Sequence, residues 1–380
     1  MNTPEMTPGE LARALEAGDA VQILDVRAPQ WVAAGHIDLA PEGRFHNIVG
    51  SRLVQMRSPE QIGLDQDVPV AVVCGHGTDS KMLAGLLNQV GYRASSLRGG
   101  MAGWMLLNLS RALPAPPSLD LLIQFDRVGK GALGYLLVSD GEALIIDPPR
   151  DLSAFAAAVE EADAQIVAVA DTHCHADYLS GGPGLSRLTG APYHLHPADS
   201  SYPYDGTPGR LRFEALEDGA ELTVGRATVK VQHTPGHTEG SVTYVVDDQA
   251  AFTGDFVFIA SVGRPDLTGK TEEWTGILWN SLERTRKRWP ADLTIYPAHY
   301  ASDEERSSDR SVGAPFGALL RTNEALRIAD AGTFRQWVRE RTGTFPDAYR
   351  KIKAVNVGLV TVDELEAEAL EVGKNECALA

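Results

Sequence analysis

The residues best suited to chemistry stand in one short stretch, Thr172–Tyr178, in which His173, His175 and Asp177 alternate with other side chains. The apolar run 165–170 before it has the character of a buried strand. Residues two apart share one face of an extended chain, and irregular backbone beyond the strand would bring the carboxylate toward the same point. Imidazole and carboxylate suit zinc or non-heme iron. The stretch therefore predicts a metal site, the alternative being a polar loop with solvated histidines.

Three later loops add candidate ligands, and each follows a predicted strand. His237 stands in the segment 234–238, Asp255 follows the strand 250–253, and His299 follows the strand 293–296. Seven of the ten histidines lie between His173 and His299. This clustering favours a shared metal centre over scattered surface histidines.

A cysteine forms a second candidate centre. Cys74 ends the apolar run 68–73, and a predicted helix, 81–90, begins shortly after it. Backbone N–H groups and a helix N-terminus that converge on a thiol stabilise a thiolate or a persulfide anion. We therefore predict a sulfur-carrying cysteine, the alternative being a thiol that only fills space. The other two cysteines are predicted to be a buried thiol, Cys174, and part of a frayed end, Cys377.

The elements that must position these residues fall into two patterns. Strand and helix alternate up to about residue 110, with a helix-like segment at 54–60, which predicts a parallel α/β domain. After a proline-rich stretch, short strands, a helix, further strands and a helix predict an αββα sandwich. Helices at 316–329, 333–341 and 362–371 follow. The predicted divisions are a first domain 1–112, a linker 113–119, a sandwich 120–310 and a helical extension 311–380.

Composition narrows the possible functions. The chain has 380 residues and a formal net charge of −17, which argues against nonspecific binding to nucleic acid. No stretch reaches the length and apolar character of a membrane span. Three cysteines do not suggest a disulfide framework, and the first twenty residues lack the apolar core of a signal peptide. We therefore predict a cytoplasmic protein with no membrane or nucleic-acid partner.

The first domain resembles the rhodanese family. The resemblance rests on Leu24–Arg27, Gly35–Ile37, the Cys74 loop and Gly99–Trp104, in that order. It implies a catalytic role for Cys74 in the transfer of sulfane sulfur. One position departs from the family, which usually has Arg or Lys five residues after the cysteine, whereas this chain has Asp79. A carboxylate there should repel dianionic thiosulfate, so we expect poor activity with that donor.

The later domain resembles the metallo-β-lactamase superfamily, whose fold is the αββα sandwich. The family's binuclear hydrolases use an Asp-His pair and a late histidine to hold a second metal. Here the pair is Asp177-Tyr178, and a phenol is a poor replacement for imidazole at neutral pH. The departure favours a single metal ion.

Within this superfamily the sequence resembles the persulfide dioxygenases. That resemblance implies Fe(II), one per chain, with His173, His237 and Asp255 as ligands; zinc is the alternative metal. It also implies the oxidation of glutathione persulfide, or another low-molecular-weight persulfide, with O₂ to sulfite and glutathione. The surrounding groups would be His175, Asp177, His299 and Tyr178, and the substrate-binding groups would be Arg264 in the segment 263–266, Tyr300 and Thr238.

Two other functions compete with this hypothesis. One is a zinc-dependent hydrolase of the glyoxalase II or lactonase type on the same fold. The other is a non-catalytic sulfur carrier or sensor with a degenerate metal site. We also expect a homodimer, with the final helices either walling the substrate cleft or forming the dimer surface.

Overall fold

The computed structural model describes residues 3–56, 58–267 and 269–379, which form two compact units. The first unit contains the described residues up to Leu109, Arg127–Lys130 and Val372–Lys374. The second contains Ser110–Asp126, Gly131–Glu371 and the described residues from Asn375 onward. The domain boundaries drawn from the sequence, after residues 112, 119 and 310, stay predictions.

The first unit is built on a parallel five-stranded sheet in the order β1-β5-β4-β2-β3. Its core strands are short and buried on both faces, as a parallel sheet covered by helices requires. The strands are β1 (Glu5–Met6), β2 (Gln22–Asp25), β3 (Phe45–Asn47), β4 (Val70–Val73) and β5 (Ala94–Leu97). The helices are α1 (Pro8–Glu16), α2 (Pro29–Ala34), α3 (Gly50–Leu53), α4 (Pro59–Ile62), α5 (Thr78–Gln89) and α6 (Gly100–Leu106).

The helix-like segment predicted at 54–60 is wrong. Helix α3 ends before it at Leu53, and α4 begins only at Pro59, while residue 57 lies outside the described residues. A proline lacks the N–H that a helix interior needs and is tolerated at the first position of a new helix. Pro59 is therefore compatible with the start of a second short helix, where the sequence pattern predicted one segment.

The second unit contains two sheets. The first has seven strands in the order β12-β11-β10-β9-β8-β7-β6, and the second has six in the order β13-β14-β15-β16-β17-β18. The first sheet comprises β6 (Asn108–Ala112), β7 (Leu121–Arg127), β8 (Ala132–Ser139), β9 (Glu142–Ile146), β10 (Gln165–Ala170), β11 (Tyr193–Leu195) and β12 (Glu214–Ala215). The second comprises β13 (Glu221–Val224), β14 (Ala227–His233), β15 (Val242–Val246), β16 (Ala250–Gly254), β17 (Thr294–Pro297) and β18 (Ala314–Pro315).

Helices cover the outer face of each sheet. Three apolar clusters define the layers: one lies between the two sheets, one packs α7 and α8 on the first sheet, and one packs α9 to α12 on the second. The architecture is the predicted αββα sandwich. The helices are α7 (Ser153–Glu161), α8 (Gly182–Thr189), α9 (Thr271–Arg288), α10 (Phe316–Thr322), α11 (Glu324–Arg327), α12 (Ala331–Arg341), α13 (Ala348–Asn356) and α14 (Glu364–Leu370).

The helix predicted at 316–329 is divided in two. Asn323 adopts an extended conformation, ends α10 and caps α11 by accepting a hydrogen bond from the Leu326 N–H. Its side chain also donates to the carbonyl oxygens of Phe258 and Ser261, at 3.0 and 2.8 Å. Satisfying those buried carbonyl groups outweighs the continuation of the helix.

Among the described helices, none combines the length and the apolar character needed to cross a membrane. The cytoplasmic location and the homodimer stay predictions.

Candidate metal centre

The predicted ligands meet at one edge of the sandwich because each follows the end of a strand. His173 comes after β10, His237 after β14, Asp255 after β16 and His299 after β17. All four side chains are buried. The strand ends therefore act as a rigid frame, and the loops need only a few residues to bring the side chains together.

Three of these residues converge on one point. Nε2 of His173 lies 3.6 Å and Nε2 of His237 lies 3.4 Å from the same oxygen, Oδ2 of Asp255. None of the three atoms has a hydrogen-bond partner among the described residues. Ligand atoms on a tetrahedral ion with bonds of about 2.1 Å lie about 3.4 Å apart, so the arrangement fits a metal ion. These are the three ligands that the persulfide dioxygenase resemblance implies.

The outward nitrogen of each histidine ring is also engaged as a metal site requires. Nδ1 of His173 lies 3.0 Å from the Thr172 hydroxyl, which donates to Asp147 and so accepts from the ring. Nδ1 of His237 donates to the carbonyl oxygen of Arg264 at 2.9 Å. Both rings therefore carry a proton on Nδ1 and turn Nε2 toward Asp255. Burial lowers the pKa of His237 to about 3, which keeps that ring neutral.

His299 lies between two carboxylates. Its Nδ1 is 2.6 Å from Oδ1 of Asp255, and its Nε2 is 2.9 Å from Oδ2 of Asp177. Burial alone would lower the pKa of His299, but the two negative charges raise it to about 10. Burial alone would raise the pKa of Asp255, but His299 and His173 hold it well below its usual value.

His175 and Tyr178 form a separate group with a carboxylate. Nε2 of His175 lies 3.1 Å from Oδ1 of Asp147 and 2.9 Å from the Tyr178 hydroxyl, and the two rings stack. Burial lowers the pKa of His175 and raises that of Tyr178 well above its usual value, so the phenol stays protonated. A protonated phenol that is hydrogen-bonded elsewhere is a poor metal ligand.

Four residues that support the metal loop were missed in the sequence. Asp147, at φ +53°, accepts from the N–H and hydroxyl of Thr172, and burial raises its pKa to about 6. Its place at the end of the apolar strand β9 was a usable signal, because carboxyl ends of neighbouring parallel strands meet at one edge. The other three are Asp199, Lys353 and Asn356.

No pattern in the sequence indicated those three. Asp199 accepts hydrogen bonds from the N–H of Cys174 and the Thr238 hydroxyl, both at 2.7 Å. Lys353 and Asn356, both on α13, donate to main-chain oxygens of the loop that carries His173 and His175. These contacts join residues that are up to 181 positions apart in the chain.

The three predicted substrate-binding residues have other partners. The Arg264 guanidinium is buried and binds both carboxylate oxygens of Asp266, at 2.7 and 2.8 Å, and two main-chain oxygens. The Tyr300 hydroxyl donates to Asp126 at 3.0 Å. The Thr238 hydroxyl is held by Asp199. Their substrate-binding role stays a prediction.

Two cavities flank the centre. One, of about 440 Å³, is lined by His299, Tyr300, Phe258 and Ser261 among others. The second, of about 410 Å³, is lined by Thr238, Lys270, Lys353, Cys174 and two tyrosines. Each is large enough for a small organic ligand. Cys174 is a buried thiol, as predicted, and burial raises its pKa to about 12. The prediction that Cys377 belongs to a frayed end is wrong, because its side chain is fully buried.

The first unit holds the predicted cysteine loop. Sγ of Cys74 accepts from the N–H of Gly77 at 3.1 Å and lies 3.3 Å from the Ser80 hydroxyl at the start of α5. A cavity of about 270 Å³ opens beside it, lined by Asp79, Arg27 and mainly apolar side chains. Gly100, at φ +56°, fits against this loop because a Cβ atom there would lie 2.4 Å from the Cys74 carbonyl oxygen.

Sequence and structure comparisons agree with this architecture. Residues 129–310 match the metallo-β-lactamase superfamily, and residues 7–107 match the rhodanese-like domain. The chain is 31% identical over 208 residues to a hydroxyacylglutathione hydrolase of Methylococcus capsulatus, covering 53% of this chain and 76% of that protein. The chain belongs to the metallo-β-lactamase superfamily and carries a rhodanese-like domain ahead of it.

Two further proteins of this superfamily are similar to the chain. The chain is 33% identical over 175 residues to human mitochondrial persulfide dioxygenase ETHE1, which is 42% of this chain and 59% of that protein. A metallo-β-lactamase structure from Staphylococcus aureus superposes with a TM-score of 0.55 at 27% identity, covering 64% of this chain and 74% of the other. These similarities indicate a metal-dependent enzyme related to the persulfide dioxygenases.

Proposed function

We propose that the second unit is an iron-dependent dioxygenase that oxidises glutathione persulfide, or another low-molecular-weight persulfide. The persulfide, O₂ and water would give sulfite, the thiol and two protons. The observation that carries this proposal is the buried set of two histidines and one carboxylate, His173, His237 and Asp255. Such a set is typical of non-heme Fe(II) oxygenases. The similarity to persulfide dioxygenase ETHE1 supports the same chemistry.

The residues of the chain would prepare the centre in two ways. Thr172 and the Arg264 carbonyl oxygen hold the ligand rings in one tautomer. The surrounding core keeps bulk water away, which strengthens the attraction between Asp255 and a bound cation. Iron(II) would supply the redox chemistry with O₂ and would leave coordination positions open, whereas zinc has no redox chemistry.

We propose that the persulfide binds in the cavity beside His299 and Tyr300. It adjoins the metal centre through His299. Arg341 in its lining is paired with Glu324 at 3.1 Å and would bind a substrate carboxylate by exchanging that partner. Arg264 could bind the substrate only by exchanging one of its present partners.

In the first unit, Cys74 would carry sulfane sulfur as a persulfide, with Gly77 and Ser80 stabilising its charge.

A zinc hydrolase is the second candidate, favoured by two observations. One is the similarity to hydroxyacylglutathione hydrolase. The other is His175, whose Nδ1 has no hydrogen-bond partner in the described part of the chain and whose ring lies 4.3 Å from that of His173. A third nitrogen ligand from that ring would be typical of a zinc site.

Metal analysis and substrate assays separate the two candidates. Under our proposal, the iron-loaded protein has no thioesterase activity with hydroxyacylglutathione, and His175→Ala retains the metal that His237→Ala loses. The hydrolase would be established instead by four results together. The purified protein would contain zinc and hydrolyse the thioester, it would consume no O₂ with persulfide, and His175→Ala would lose the metal. His194→Ala is the matched control, because His194 lies in β11 outside the metal-binding groups.

A further inference from the structure

The cavity beside Cys74 offers little to an anionic sulfur donor. Among the described residues that line it, the one cation is Arg27. The Arg27 guanidinium binds both carboxylate oxygens of Asp25, at 3.0 and 2.7 Å, and donates to the Gly35 carbonyl oxygen at 2.6 Å. Lys81, which follows the cysteine loop, is paired with Glu5 at 3.1 Å. Each of these cations therefore already has a carboxylate partner.

The unpaired charge in the wall of this cavity is the carboxylate of Asp79. This exposed residue lies in the first turn of α5. A helix N-terminus attracts anions, so an aspartate in this position also has a purely structural explanation. Here, however, Asp79 lines the cavity that contains the Cys74 thiol, and it supplies the negative charge that a bound anion would otherwise bring to the helix. The formal net charge of −17 likewise favours a cationic ligand.

The remaining wall is largely apolar. Val26 and Leu83 are buried, whereas Val54 and Met82 have 38% and 58% of their surface exposed. Single exposed apolar residues are common, but these two line the same cavity as a thiol. A methionine side chain adapts its shape to an apolar ligand. With a volume of about 270 Å³, the cavity suits a short carbon chain that ends in one charged group.

We propose that Cys74 takes sulfane sulfur from the persulfide of a small aminothiol, whose ammonium group binds Asp79. This inference rests on the sulfur-carrying role proposed for Cys74 and names its donor. The Cys74 thiolate attacks the outer sulfur of the donor and forms a sulfur–sulfur bond, while the bond between the donor's two sulfur atoms breaks. The outer sulfur keeps its proton, and the aminothiol leaves as a thiolate.

Three donors of similar length test this inference: the persulfides of cysteamine, mercaptoethanol and mercaptopropionate. Their carbon chains end in an ammonium, a hydroxyl and a carboxylate group. Each would be mixed with the full-length protein without oxygen, so that the proposed dioxygenase cannot consume it. Mass spectrometry of the Cys74 peptide measures the rate of sulfur transfer, and the rate with a free small thiol corrects for the reactivity of each donor.

We expect the cysteamine donor to react about fivefold faster than the mercaptopropionate donor, with the mercaptoethanol donor between them. Asp79→Asn should remove this preference, and Asp79→Arg should reverse it. Added salt should reduce the preference of the wild-type protein, because the carboxylate is exposed. Asp19→Asn is the matched control and should keep the wild-type order, because Asp19 is an exposed carboxylate of the first unit outside the cavity lining.

The inference is overturned if the wild-type protein reacts equally with all three donors or fastest with mercaptopropionate persulfide. It is also overturned if Asp79→Asn keeps the wild-type preference. Equal transfer from the three donors would leave the sulfur-carrying role intact and reject only the aminothiol. If no donor produced a persulfide on Cys74, the carrying role would fall and this inference with it.

Discussion

The Tyr178 hydroxyl lies 2.9 Å from Nε2 of His175, and the two rings stack with their centroids 4.3 Å apart. The tyrosine is therefore hydrogen-bonded to a neighbouring histidine, and we predict that it is not a ligand. The departure from the family's Asp-His pair thus has a structural consequence: a nitrogen donor is replaced by a group that fixes the orientation of His175.

Tyr178→Phe should reduce stability without removing the metal. Losing a buried hydrogen bond to His175 should lower the free energy of unfolding by about 1–2 kcal/mol. Chemical denaturation and metal analysis measure the two effects. A loss of metal comparable to that of His237→Ala would show instead that the phenol is a ligand.

Thr172→Val should weaken metal binding. The hydroxyl accepts the Nδ1 proton of His173, and loss of such a partner typically lowers metal affinity by about 10–100-fold. Competition with a chelator measures the affinity. Thr234→Val is the control, because the Thr234 hydroxyl is buried and bonds to Thr243 rather than to a ligand. Equal losses in both variants would count against the orienting role.

Asn356→Ala should loosen the loop that carries the ligands. Its side chain donates to the carbonyl oxygens of His175 and Tyr178, at 2.9 and 2.8 Å, and accepts from the Ser180 N–H at 3.0 Å. We expect a loss of about 1–3 kcal/mol in unfolding free energy together with weaker metal binding.

The control for that variant is Gln124→Ala. Gln124 is buried and makes hydrogen bonds to the main chain of Val312, away from the metal loop. It should lose stability to a similar extent but keep its metal affinity. If metal affinity is unchanged in Asn356→Ala as well, α13 does not support the centre.

Asp79→Arg should raise thiosulfate:cyanide sulfurtransfer by the first unit. Asp79 lines the cavity beside Cys74, where its charge should repel a dianion, while Arg27 is paired with Asp25. Wild-type activity should be low, Asp79→Asn should raise it modestly, and Cys74→Ser should abolish it. Strong wild-type activity that the arginine does not increase would contradict this interpretation.

The fold and the convergence of His173, His237 and Asp255 could be predicted because their signals are local. Apolar runs such as 68–73 and 165–170 predict strands, and ligands placed directly after strands must meet at one sheet edge. Helix breaks caused by a single residue were harder to predict. Asn323 divides a helix because its side chain satisfies distant carbonyl groups.

Contacts between distant segments could not be read from the sequence. Lys353 looks like an ordinary helix lysine, yet its ammonium group is buried against the carbonyl oxygen of Cys174. Cys377 stands close to the end of the sequence, where fraying is the usual expectation, but it reaches a buried cluster with Asp177 and His299. Both depend on how separate elements pack, which no local pattern encodes.

Oxygen uptake by the anaerobically purified, iron-loaded protein tests the central claim most directly. Glutathione persulfide would be added while O₂ consumption and sulfite formation are followed together. We predict one O₂ consumed per sulfite formed, loss of both in His237→Ala, and retention of both in His194→Ala. Sulfite-free O₂ consumption, or no consumption by a protein that carries one iron per chain, would contradict the assignment of a persulfide dioxygenase.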